Sequence, residues 1–238
     1  YFSGPLPPYH GPARHMSSEE DAASRRVNEW IRQQDIMTRE LRLSRNQLVR
    51  VPPRAFDLVN IKKLCLDNNL LESVSEAIGQ LAQLEELHLN NNCLVALPEP
   101  IGRLSRLQKL CVGYNQLQAL PEGLMGCTAL QYLFLEFNQL EALPPSLHGL
   151  ARLQCLNVGH NRLGKLPSTL GQLTSLTELF VEGNDLEELP EGLEGLRRLT
   201  AVNLNSNRFA KLPSGLMHLR LKRLSCNNNR IQAFPPQL

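Results

Sequence analysis

The chain has 238 residues, with 25 basic against 23 acidic side chains and a formal net charge of +2. That near balance gives no general attraction to nucleic acid or another polyanion, so any electrostatic preference has to be local. Aromatic residues are 5% of a composition that is 42% hydrophobic, so a core large enough for one or two ordinary domains has to be aliphatic.

No stretch reaches the roughly 18 consecutive apolar residues of a membrane span, and the N-terminus lacks the apolar centre of a secretory signal. Cys65, Cys93, Cys111, Cys127, Cys155 and Cys226 are scattered singly, and no N-x-S/T sequon occurs. These features predict a soluble chain in a reducing, cytoplasmic or otherwise intracellular setting.

In chain order, residues 1–15, "YFSGPLPPYHGPARH", are rich in Pro and Gly and lead into Met16. They read as a disordered leader or cloning remnant, with a short polyproline II ligand as the alternative. Residues 16–37 read as an N-terminal capping helix. Ser18 stands three residues before Asp21 in a capping-box-like start, and Ala23, Val27, Trp30 and Ile31 follow at helical spacing. Such a helix covers the open end of a repeat array; Trp30 has a partner contact as its alternative role.

From residue 38 to 238 one period organises the chain. Asn46, Asn69, Asn92, Asn115, Asn138, Asn161, Asn184 and Asn207 recur every 23 residues, and Asn229 follows after 22. Each is preceded by a segment such as "LEELHLNNN" (84–92), and most repeats continue to "LP". Counted from Leu84 as position 1, Leu87 and Leu89 at positions 4 and 6 alternate inward as in a strand, which leaves positions 3, 5 and 7 outside. Asparagine at position 9 can donate to and accept from neighbouring backbone where the chain leaves the strand. Proline after position 14 sets an extended turn and blocks a second strand. The array therefore predicts an α/β repeat solenoid of about nine repeats, curved, with a parallel sheet on its concave face and short helical or extended turns on its convex face.

These repeats resemble the intracellular type of leucine-rich repeat, L-x-x-L-x-L-x-x-N-x-L-x-x-L-P-x-x-I/L, found in Ras-pathway scaffolds and in polarity proteins such as Scribble and Erbin. The resemblance implies a horseshoe and a signalling or scaffold role, and it also extends to repeat domains of bacterial effectors and ubiquitin ligases. Two departures, Val74-Ser75 in place of "LP" and the one-residue-short segment "LRLKRL" (219–224), predict local changes on the convex side. The chain stops inside a repeat at "FPPQL" with no recognisable cap, which reads as a cut from a longer protein or an end covered by another chain.

Stacking equal positions of successive repeats gathers Tyr132, Phe134 and Phe137 with Tyr114 and Phe180 at the centre of the concave face. Glu136, Glu178, Glu182 and Asp185 form an acidic border, Asn157 and His160 lie among the rings, and Gly113 and Gly159 leave room around Glu136. Central aromatics with a polar rim are the composition of a binding hot spot, and the acidic border favours a protein or peptide with Lys or Arg near an apolar segment. The competing reading is that the rings only cover cross-strand surface. Glu40, Lys63, Glu86 and Lys109 read as a solvated charge ladder, and Arg208, Arg220, Lys222, Arg223 and Arg230 as a basic end without the interleaved aromatics of a nucleic-acid site.

Cys65, His88 and Cys111 on adjacent strands are a weak candidate zinc set, because the two sulfurs start two strand spacings apart, roughly 10 Å. No oxyanion donor or Gly-rich phosphate loop is visible, so no catalytic residue and no cofactor are predicted. The first functional expectation is a non-catalytic protein-interaction module or scaffold. The alternative is the substrate-recognition domain of a larger multidomain enzyme such as a ligase or effector. The sequence leaves the oligomeric state open, self-association included.

Overall fold

The computed structural model describes residues 18–232 apart from 36 and 213, with the side chains of 18–24 and 214 also outside the description. The leader expected over residues 1–15 and the "FPPQL" terminus lie outside the described residues.

Nine short strands form one parallel sheet in chain order. They are β1 (Glu40–Arg42), β2 (Lys63–Cys65), β3 (Glu86–His88), β4 (Lys109–Cys111), β5 (Tyr132–Phe134), β6 (Cys155–Asn157), β7 (Glu178–Phe180), β8 (Ala201–Asn203) and β9 (Arg223–Ser225). Each pairs in register with its successor, Leu110 opposite Leu133 and Leu133 opposite Leu156 for example. The strands are short for a backbone reason. Position 8 of every repeat, from Arg45 through Tyr114, Phe137 and His160 to Asn228, has φ between 54° and 66°, and this left-handed residue ends the extended run.

The inward leucines form continuous buried columns, Leu87, Leu110, Leu133 and Leu156 all at 0% exposure. Each buried Leu is worth about 1.5–3 kcal/mol, but only once a neighbouring repeat covers it. The asparagine column completes the core. The Asn138 amide donates to Val112 O and Leu135 O at 3.0 Å each, and its Oδ1 accepts from Leu117 N at 2.9 Å. One side chain thus satisfies three backbone groups across two successive repeats, which leucine could not do.

On the convex side, Pro98, Pro121, Pro144 and Pro167 hold φ between −74° and −64°, and each leads into a 3-10 helix such as Glu99–Arg103. The change expected at Val74-Ser75 does not occur. Ser75 adopts φ −61° and ψ 145°, its Oγ accepts from Ala77 N, and the 3-10 helix Glu76–Gln80 forms as in its neighbours. The short segment 219–224 loses its residue in the return turn, because Ala201 still pairs with Arg223.

Helix α1 (Ser18–Arg32) lies against the 3-10 helix Pro53–Phe56 and sends Val27 and Ile31 into the repeat core at 7% and 3% exposure. Trp30 does not join them. At 40% exposure it lies off the buried stripe, which corrects its assignment to the capping face. Among the described residues no helix is long and apolar enough to cross a membrane.

Candidate functional site

Strand β5 turns Tyr132 and Phe134 outward on either side of the fully buried Leu133. Their ring centroids are 6.5 Å apart and nearly parallel, and Tyr132 is 38% exposed. Lys109, read from sequence as the end of a charge ladder, instead places its Nζ 5.8 Å from the Phe134 ring centroid. A cation over a ring face is worth about 0.5–1 kcal/mol at an exposed site. Phe180 sits two strands from Phe134 with Asn157 paired between them. Asn157 Oδ1 accepts from Gly159 N at 3.0 Å, so its amide oxygen serves its own repeat.

The remaining aromatics form a separate group. Tyr114, Phe137 and His160, at the left-handed position 8, stack face to face with centroids 4.4 Å and 4.2 Å apart. The single central cluster expected from sequence is therefore two clusters, one on the strands and one at their exits. Bulky residues at positive φ cost about 1–2 kcal/mol each. Stacking worth about 0.5–1.5 kcal/mol per pair offsets part of this, and Phe137 N donates to Gly159 O at 2.9 Å. The stack ends on Gly183, where a Cβ would lie 2.5 Å from His160 Nδ1.

The acidic residues divide as well. Glu178 is engaged by Arg223 at 3.5 Å and Asp185 by Arg208, so neither borders the aromatics as a free charge. Glu136 and Glu182 behave differently. Each folds back over a glycine of the preceding repeat, Glu136 over Gly113 and Glu182 over Gly159, so Gly159 makes room for Glu182 and not for Glu136. Among the described residues, Glu136 Oε2 and Glu182 Oε2 are buried without a hydrogen-bond partner. Burial raises the Glu136 carboxyl above the ordinary carboxylate value; its own backbone N–H opposes the shift and the Glu182 charge adds to it.

Cys65, His88 and Cys111 do lie side by side in register. His88 Nε2 meets Glu86 Oε2 at 3.0 Å, and burial pushes the Cys111 thiol up to about 12. Among the described residues no group of three or more His, Cys, Asp or Glu side chains is arranged to hold a metal ion. The charge ladder is real over its first part: Lys63 bridges Glu40 at 3.7 Å and Glu86 at 3.2 Å. A convex cavity of about 860 Å³, lined by Glu191, Glu194, Lys211 and His218 among others, opens where the 3-10 helix Leu193–Gly195 is short. It lies away from the aromatics.

Leucine-rich repeat family models match residues 38–94 and 152–173. A solved leucine-rich repeat protein of Leptospira interrogans is 34% identical over 84% of this chain and 51% of its own, with a TM-score of 0.82. The internalin InlF of Listeria monocytogenes is 21% identical over 82% of this chain and 56% of its own, TM-score 0.74. The functional domain of InlJ from the same organism is 18% identical over 84% and 46%, TM-score 0.62. The two internalins share the fold. No curated protein matches the chain. The chain is a leucine-rich repeat protein, and it spans about half the length of these solved structures. Leucine-rich repeat domains are generally protein-interaction modules.

Proposed function

We propose that the chain is a non-catalytic, intracellular recognition module that holds a protein or peptide segment on its concave face. Tyr132, Phe134 and Phe180 act as apolar anchors, the Tyr114–Phe137–His160 stack forms a flanking wall, and Glu136 with Glu182 selects a Lys or Arg beside an apolar residue. The observation that carries this reading is the pair of unpartnered carboxylate oxygens, Glu136 Oε2 and Glu182 Oε2. They belong to the same stretch of the sheet as Tyr132, which is 38% exposed. A buried carboxylate without a partner costs stability, so turning it outward to meet a cationic side chain would relieve that cost while the cation's stem covers the rings. Six free cysteines support a reducing compartment.

The test is affinity capture from cell lysate with the intact protein and with a Phe134→Ser/Phe180→Ser variant that melts at the same temperature. Partners lost from the variant support the concave anchors. An unchanged partner set overturns them.

A further inference from the structure

We propose that the junction between α1 and β1 is a second docking site, which takes an acidic peptide segment with one apolar side chain against Trp30. It does not depend on the concave reading, because β1 lies four strands from β5, roughly 20 Å along the sheet.

The site is a groove of about 290 Å³ lined by Arg26, Val27, Trp30, Arg42, Leu43 and Asn46. Val27 and Leu43 give it an apolar floor at 7% and 1% exposure, and Trp30 stands beside them at 40%. This volume lies at the lower limit of about 300 Å³ for small-molecule pockets, so it suits one side chain of a peptide better than a compound or cofactor. Tryptophan and arginine together are the residues most enriched where binding energy concentrates.

Charge sets the occupant. The whole chain is close to balance at +2, yet residues 25–54 hold eight arginines, no lysine, and only Glu29, Asp35 and Glu40 as acids. Of the two arginines on the groove, the Arg26 side chain is exposed and makes no ion pair among the described residues. Arg42 donates to Glu40 at 3.0 Å with its side chain 75% exposed. Glu40 is shared with Lys63 at 3.7 Å, and Glu29 is held by Arg32 at 3.6 Å. Glu29 and Glu40 are thus already countered, and the Arg26 and Arg42 side chains stand exposed on the groove. Guanidinium binds a carboxylate in a two-pronged geometry that lysine cannot supply. A single indole without a row of further rings fits a peptide rather than a stacked nucleic-acid strand.

Trp30 is the chain's one tryptophan, so its emission reports this groove alone. The full chain is titrated with a ten-residue peptide of glutamates around one leucine, with its lysine counterpart, and with phosphatidylserine vesicles. The expected result is a saturable emission shift with the acidic peptide only. Arg26→Gln should weaken that binding about tenfold, the size of a moderate hot-spot loss, while circular dichroism and the melting temperature stay unchanged. No saturable shift, an equal shift with the lysine peptide, an affinity unaltered in Arg26→Gln, or a response to vesicles without one to the acidic peptide would overturn the proposal.

Discussion

The carboxylate of Glu136 lies over Gly113, so close that a Cβ on the glycine would stand 2.6 Å from Glu136 Oε1. Glycine at position 113 is what lets a charged side chain fold inward on the concave face, and the repeat two further on reproduces the arrangement with Gly159 and Glu182. Gly113 is not at positive φ, so alanine is acceptable to the backbone and the flexible carboxylate has to yield. Gly113→Ala is expected to swing Glu136 into solvent and return its titration toward the ordinary carboxylate range, with global stability changed by less than about 1 kcal/mol. Carbon-detected NMR titration of the Glu136 carboxyl measures this directly.

The same burial gives a pH dependence of definite sign. Because the folded Glu136 carboxyl titrates above its unfolded value, between those two values the native state holds the proton while the unfolded chain has released it. Stability contributed by this group therefore falls as pH rises from the unfolded value through the raised folded one. Glu136→Gln is expected to gain on the wild type over that window, reaching on the order of 1 kcal/mol above it, the cost of a buried polar atom without a partner. Urea melts of both proteins from pH 4 to 8 check it, and taking their difference cancels the other carboxylates.

The asparagine column should be costly to interrupt at its centre. Asn138→Ala leaves the carbonyls of Val112 and Leu135 and the amide of Leu117 without their partner. The expected loss is about 3 kcal/mol. Asn229→Ala should cost less, because Asn229 is only partly buried. Chemical denaturation of the two variants ranks them.

Thiol reactivity should follow position in the coil. Burial pushes Cys111, Cys127 and Cys155 up to about 12, while Cys65, Cys93 and Cys226 are half-buried. Under native conditions at pH 8, iodoacetamide is expected to modify these last three first and the other three only on unfolding. Mass spectrometry over the time course resolves the order.

The repeat period alone was enough to predict the parallel sheet, the in-register pairing and the asparagine column, since each depends on which residues recur and not on how a side chain turns. The candidate site was legible only in its membership. Lys109 reaches Phe134 rather than Glu86, and Glu178 reaches Arg223 across the small Ala201. A grid of positions cannot say which of several neighbours a long side chain chooses. The division of the aromatics into two groups has a backbone cause, the left-handed turn at position 8, whose signal in sequence was the recurrent Asn at 68, 91 and 228. Helical spacing placed Trp30 near Val27 and Ile31 but could not fix the width of the buried stripe. At Val74-Ser75 the missing proline suggested a change, but serine reached the same dihedral angles through its own cap.

The most direct test of concave recognition is selection from a random peptide display library, run in parallel on the intact protein and on the equally stable Phe134→Ser/Phe180→Ser variant. The expected result is enrichment of peptides with Lys or Arg beside an apolar residue, lost in the variant and weakened by Glu136→Gln. Enrichment of the same peptides by the variant, or of sequences without a basic residue, would contradict it.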